Sequence, residues 1–193
     1  MKTLIFDCHD SFTYNLAHQI QAGLRAGDQL VVRSPEELDL AEVGDYDRII
    51  LSPGPGAPGE MTNLLPLIQR WAPFKSILGV CLGHQALGQV FGARLINLKK
   101  VFHGVKSRIR LLSPTRLFRG LPTEIEAGRY HSWLVDEAAW PGELEVTARD
   151  ERGLVMGLKH VHYDLHGLQF HPESILTPLG PRILTNFLYQ EGV

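Results

Sequence analysis

Cys81 stands in GVCLGHQALG between an apolar run and a glycine, and what it can do depends on its company. A thiol of ordinary pKa, about 8.5, is only a few per cent thiolate at neutral pH, and a helix N-terminus or a neighbouring imidazolium raises that fraction. Far along the chain, His171 and Glu173 flank Pro172 in GLQFHPESILTP. The proline pushes His171 towards an extended backbone. Positions i and i+2 of such a segment face the same side, so Glu173 can accept a hydrogen bond from the imidazole and fix its tautomer. Nucleophile, base and orienter are the parts of an acyl-transfer site. A third piece is LSPGPGAPG, Leu51 to Gly59. Pro53 and Pro55 carry no N–H, which confines the donors to Gly54 and Gly56 on a stiff frame free of side chains. The Gly56 N–H can then be aimed at a developing oxyanion with the Leu82 N–H as second donor, each such donor being worth roughly 10²–10³ in rate. Taken singly, each piece has a plainer reading: a small buried hydrophobe, a surface His and Glu, a turn.

The elements that must position these residues follow from periodicity. KTLIFD (Lys2 to Asp7), QLVVR (Gln29 to Arg33), RIILS (Arg48 to Ser52) and SILGV (Ser76 to Val80) read as buried strands. Helical patterns run from Phe12 to about Ala26, capped by Asp10 or Ser11, and between Met61 and Trp71; another follows Cys81 until Gly92 ends it. Alternating strands and helices imply a parallel sheet covered on both faces. Cys81 is then the first residue after a buried strand and the start of a helix, at the carboxyl edge where open α/β sheets bind ligands. Glycines at 79 and 83 clear the turn or the substrate path, and the first-turn N–H groups from Leu82 onward point at the site. The second half is less regular. Strand candidates lie around Ser107 to Leu112, Leu144 to Arg149, Leu154 to Lys159 and Gly167 to Phe170, with a last helix from about Pro181 to Tyr189.

Composition limits the alternatives. A chain of 193 residues can bury a full core, and a formal charge of −2 with no basic run makes nucleic acid a poor partner. MKTLIFDCHD is too short in apolar residues for a signal peptide, and no window approaches the roughly 20 apolar residues of a membrane span. A cytoplasmic protein with Cys8 and Cys81 as free thiols is the expectation. His160, His162 and His166 in KHVHYDLHG lack the acidic or thiol ligand spacing that would complete a zinc site, so no metal is expected. His84 is expected to pack on its helix rather than act as base. The residues alone leave open a silent binding module with a redox-sensitive thiol, or another Cys-His hydrolase.

GVCLGHQ, FHPE and SPGPG in one chain resemble the class I glutamine amidotransferases, and the resemblance runs from FDCHDSFTYNL at Phe6 to LTNFL at Leu184. It implies an α/β, flavodoxin-like fold with a mostly parallel central sheet and helices on both faces, one domain over 1–193. It further implies Cys81 as nucleophile, His171 as base, Glu173 as orienter, and an oxyanion hole from Gly56 and Leu82. Gly54, Pro55, Gly56, Gln85, Ser132 and Trp133 would contact L-glutamine. Within the family, DSFTYNL, His103-Gly104, RYHS and HPESILT are similar to the glutaminase subunits of anthranilate synthase and of aminodeoxychorismate synthase. The family often has Asn and Tyr where Cys8 and His9 stand, and Leu at Trp133. The implied subunit has no cofactor of its own and no chorismate site; its ammonia passes to a separate synthase subunit that binds chorismate with magnesium.

Overall fold

The computed structural model describes residues 1–98, 101–138 and 140–189. Period-two alternation along its central strands decides the architecture. β1 (Lys2–Phe6), β3 (Arg48–Leu51) and β4 (Ser76–Val80) send Leu4, Phe6, Ile49, Leu51 and Ile77 to one face and Ile5, Ile50, Leu78 and Val80 to the other. Two apolar faces need two covers. α2 (Leu64–Trp71) and α3 (Leu82–Val90) lay Leu64, Leu67, Ile68, Leu82, Ala86 and Leu87 on the first. α1 (Phe12–Gly23) and α4 (Gly180–Tyr189) lay Leu16, Ile20, Ile183, Leu184 and Phe187 on the second. Each leucine, isoleucine and phenylalanine among them stabilises the fold by about 1.5–3 kcal/mol on full burial.

The remaining strands are β2 (Gln29–Arg33), β5 (Arg94–Asn97), β6 (Val105–Leu111), β7 (Glu124–Arg129), β8 (Trp133–Asp136), β9 (Leu144–Asp150), β10 (Val155–His160) and β11 (Leu165–Leu168). Among the described residues they complete a nine-stranded sheet in the order β2-β1-β3-β4-β11-β10-β9-β6-β7, with β5 and β8 as a separate antiparallel ribbon. The pairs from β2 to β11 are parallel, and those from β11 to β7 antiparallel. Order 2-1-3-4 with β11 in fifth place is the flavodoxin-like winding. The antiparallel half extends that sheet and carries the segment around Ser132.

Several boundaries differ from the sequence expectation, each for a local reason. β2 is half-exposed rather than buried because it is an edge strand paired only with β1. α1 stops at Gly23, short of Ala26, where a turn closed by Asp28 N to Arg25 O at 3.0 Å takes over. At its start Asp10 Oδ1 accepts the Phe12 N–H at 2.7 Å, while Ser11 makes no side-chain cap. α2 begins only at Leu64, after a 3-10 turn at Pro58–Glu60 and a left-handed Asn63 whose amide donates to Pro35 O at 3.2 Å. β11 ends at Leu168 because its neighbour β4 turns away at Cys81, and the Cys81 N–H to Leu168 O bond at 2.8 Å is the last rung.

Candidate active site

That last rung brings the two halves of the site together. The parallel register pairs Leu168 with Val80, so residues 169–171 leave β11 beside Cys81, at the carboxyl edge of the sheet. Cys81 is the N-cap of α3 with φ 52° and ψ −97°, a positive-φ conformation that costs a non-glycine residue of order 1–3 kcal/mol. The elbow holds because its flanks are glycines. A Cβ at Gly79 would lie 2.4 Å from the Gly83 backbone, and one at Gly83 would lie 2.6 Å from Leu51 O. Both glycines therefore serve the turn, and Gly83 faces β3 rather than a substrate path.

His171 is extended, bridging to Gly128 through its N–H at 3.0 Å. Glu173, however, lies in a turn rather than a strand. The Ser174 N–H to His171 O bond at 3.2 Å closes it, with Pro172 at the position where turns favour proline. The turn folds Glu173 back so that His171 Nδ1 and Glu173 Oε1 are 2.6 Å apart, with both side chains buried. Thr177 locks the arrangement by donating to His171 O at 2.6 Å and accepting the Gly128 N–H at 3.0 Å. Rings of Phe12 and Tyr130 cover the imidazole at 5.3 and 4.9 Å. Burial by itself lowers the pKa of His171, but the charge and proximity of Cys81 and the hydrogen bond and charge of Glu173 outweigh it and push it up to about 10. No well-aligned hydrogen bond joins Nε2 to the sulfur, the looser geometry common in unliganded sites. The pair is coupled through charge.

A cavity of about 320 Å³ opens over Cys81, lined by Gly54, Pro55, Gly56, Gln85, Ser132 and Trp133 together with Tyr130 and His131. That volume suits a small molecule. The structure thus gathers the expected contact residues in one place, while His171 and Glu173 are buried outside the cavity lining. Ser52 pins the proline-glycine loop, accepting the Cys8 N–H at 2.8 Å and donating to Pro53 O at 2.7 Å. Gly54 packs directly on Cys8, and Gly56 has φ 70°. Among the described residues neither the Gly56 nor the Leu82 N–H donates to another protein group. Gln85 spends its amide N–H groups on Trp133 O at 3.0 Å and Gln169 Oε1 at 3.1 Å, which leaves its carbonyl oxygen for a ligand.

Gln169 was not among the expected residues, yet its Nε2 lies 3.7 Å from Cys81 Sγ. A polar side chain inside the apolar run GLQF was the available signal. Cys8 is fully buried, and burial, ahead of the Asp7 and Asp10 charges, pushes its thiol up to about 12. His84 is likewise buried, and burial holds it down at about 3, neutral and away from base chemistry. His160, His162 and His166 line a second cavity of about 420 Å³ with Arg116 and Asp164 at the opposite edge of the sheet. There His160 Nδ1 accepts the N–H groups of His162 and Tyr163, and His166 pairs with Asp164 at 3.1 Å. Among the described residues no cluster could hold a metal ion, and no helix is long and apolar enough to cross a membrane.

Fold and cavity define an α/β chain with a cysteine at a strand-to-helix elbow beneath a cavity at the carboxyl edge of the sheet. The chain belongs to the class-I glutamine amidotransferases, whose family model matches residues 4–191. It is 45% identical over 192 residues to anthranilate synthase component 2 of Thermus thermophilus, covering 97% of this chain and 92% of that protein. To aminodeoxychorismate synthase component 2 of Klebsiella aerogenes it is 43% identical over 187 residues, covering 96% of this chain and 98% of that protein. A solved glutamine amidotransferase of Thermotoga maritima shares the fold at a TM-score of 0.70 and 19% identity, over 90% of this chain and 76% of that one.

Proposed function

We propose that this chain, one domain over 1–193, is the glutaminase subunit of a synthase that aminates chorismate, in the first instance anthranilate synthase. It would hydrolyse L-glutamine and pass the ammonia to a synthase partner that binds chorismate with magnesium. The observation that carries the reading is the buried His171–Glu173 pair, 2.6 Å apart, whose imidazole responds to Cys81 beneath a cavity lined by Gly54 and Gly56. Similarity to component 2 proteins of both chorismate-using synthases supports the partner. Aminodeoxychorismate synthase is the second reading, on the Klebsiella aerogenes relative, and one subunit can serve both. The two free thiols fit a cytoplasmic setting.

In this reading the Cys81 thiolate attacks the side-chain amide carbon, forming a C–S bond as the carbonyl electrons move to oxygen. Gly56 and Leu82 N–H groups hold that oxyanion. His171 gives its Nε2 proton to the departing nitrogen as the C–N bond breaks, and ammonia leaves. Water then attacks the glutamyl thioester, giving a proton back to His171 while the thiolate departs and glutamate forms. Gln85, Ser132 and Trp133 hold the α-amino and α-carboxyl groups. Glutamate release from glutamine, measured alone and with a synthase component plus chorismate, tests the proposal. The partner should accelerate a slow basal rate, and product analysis separates anthranilate from 4-amino-4-deoxychorismate. A rate unchanged at saturating partner, or no hydrolysis in either condition, would remove the assignment.

A further inference from the structure

Arg129 closes β7 three residues before Ser132, and only 1% of it is exposed. Its guanidinium is gripped on three sides. Nη1 donates to Asp150 Oδ2 at 2.5 Å, Cζ lies 3.7 Å from the centre of the Phe102 ring, and Nε donates to His131 Nε2 at 3.1 Å. A guanidinium nitrogen can only donate, so His131 Nε2 must accept and the ring proton sits on Nδ1. That proton points at Trp133 O, 2.9 Å away. Burial, then the Arg129 charge, hold His131 at about 3, so the ring stays neutral and keeps this tautomer through the working pH range.

The consequence falls on the cavity wall. Trp133 O takes a second hydrogen bond from Gln85 Nε2, and Phe102 N and Leu98 N occupy the carbonyls of His131 and Ser132 at 3.0 and 2.7 Å. All three carbonyls of residues 131–133 are thereby tied down. Arg129 and Asp150 are not part of the cavity lining; they line a separate hollow with Lys106 and Arg152. A buried charge is costly to maintain unless paired and hydrogen-bonded. Here one guanidinium nitrogen is spent on orienting a histidine that faces the cavity.

We propose that Arg129 is a positioning residue: through His131 it fixes the Ser132–Trp133 backbone, and with it the end of the cavity that grips the α-amino and α-carboxyl groups of an amino-acid amide. The inference rests on the glutaminase reading of that cavity. It goes further in separating binding from chemistry: the Arg129 side chain reaches Asp150, Phe102 and His131, whereas His171 is held by the Glu173 carboxylate, the Thr177 hydroxyl and the Gly128 backbone, none of which bonds the guanidinium.

Steady-state glutaminase kinetics on the full chain test it. Arg129→Met should raise KM for glutamine about tenfold, the worth of one well-placed hydrogen bond, with kcat within twofold. Alkylation of Cys81 by iodoacetamide, which needs no α-group contacts, should keep its rate, whereas glutamine should protect the thiol only at higher concentration. His131→Asn retains an N–H donor for Trp133 O and should raise KM less than His131→Ala does. A KM within twofold of wild type in Arg129→Met, or kcat falling in step with a rising KM, would overturn the proposal. Should Arg129→Met fail to fold by circular dichroism, the two His131 variants decide, and equal KM values in them would overturn it. A wild-type chain that neither hydrolyses glutamine nor is protected by it would overturn the glutaminase reading and this inference with it.

Discussion

Glu173→Gln isolates what the buried carboxylate contributes, because the amide keeps the shape and one acceptor oxygen while losing the charge. His171 Nδ1 lies 2.6 Å from Glu173 Oε1, the two side chains being 2% and 0% exposed, so solvent does little to screen the pair. A hydrogen bond to a charged group contributes about 1.5–3 kcal/mol, and losing that amount from the transition state lowers kcat/KM roughly 10- to 150-fold. The pH profile supplies a second, independent readout. His171 is raised to about 10 after the lowering effect of burial is overcome by Cys81 and Glu173. In the proposed mechanism its imidazolium protonates the leaving nitrogen, so activity should be lost as pH rises through that pKa. Removing the Glu173 charge removes one of the raising influences, and the alkaline limb of kcat/KM should move to lower pH. Cys81→Ala, which deletes the bond-forming atom, should take glutamine turnover to background and so lose more. With ammonia supplied directly, a complex carrying Cys81→Ala should still aminate chorismate. Glutamate release from about pH 6 to about pH 11 is the assay, with buffers matched in ionic strength, so that a wild-type limb near 10 and a limb moved below it are both spanned. A Glu173→Gln chain with kcat/KM within twofold of wild type and an unmoved alkaline limb would refute the orienting role.

Two further perturbations follow from packing and burial. Gly79→Ala would place a Cβ 2.4 Å from the Gly83 backbone, and since overpacking of this kind costs about 1–3 kcal/mol, the melting temperature should fall by several degrees; an unchanged value would show that the elbow has slack. A diazo-ketone analogue of glutamine should label Cys81 and leave Cys8, which is fully buried with its thiol pushed up to about 12, untouched by peptide mass spectrometry; labelling at Cys8, or no protection of Cys81 by glutamine, would reverse the assignment.

The parallel half of the fold was legible because it is buried on both faces. Runs such as RIIL and SILGV have no polar interruption, and nothing but a central strand between two helical layers accommodates them. The antiparallel half was legible only in part. β6, β9 and β10 were anticipated approximately, but β7 reads EIEAGR and β5 reads RLIN. The short alternation of β7 is the pattern of a one-sided strand and also of many loops, β5 has only two apolar residues between polar ends, and only the pairing of β6 with β7 and of β5 with β8 decides. β8, which begins at Trp133 and reads WLVD, is concealed by its shortness. The ribbon that carries the cavity wall was therefore invisible even though Ser132 and Trp133 had been picked out.

The site shows the complementary limit. Cys81, His171 and Glu173 were readable because each sits next to a local signal: a strand end with flanking glycines, and a proline that constrains its neighbours. Arg129 and His131 stand in RYHS and Gln169 interrupts the apolar run GLQF, but no strand end, flanking glycine or proline there says what they do. The Arg129–His131 and His131–Trp133 bonds each join residues two apart, whereas Gln169 meets residues 81 and 85 from far along the chain, and only because β11, running parallel to β4, delivers Gln169 and His171 beside the elbow while β7 bridges to His171 through Gly128. Residue types and spacing can therefore name the groups that react. The register of β11 on β4 sets how far apart they stand, since a one-residue slip would turn the other face of the segment towards Cys81 and carry His171 away from it. In this chain that register ends on the Cys81 N–H to Leu168 O bond, so the backbone amide of the proposed nucleophile fixes where its proposed base lies.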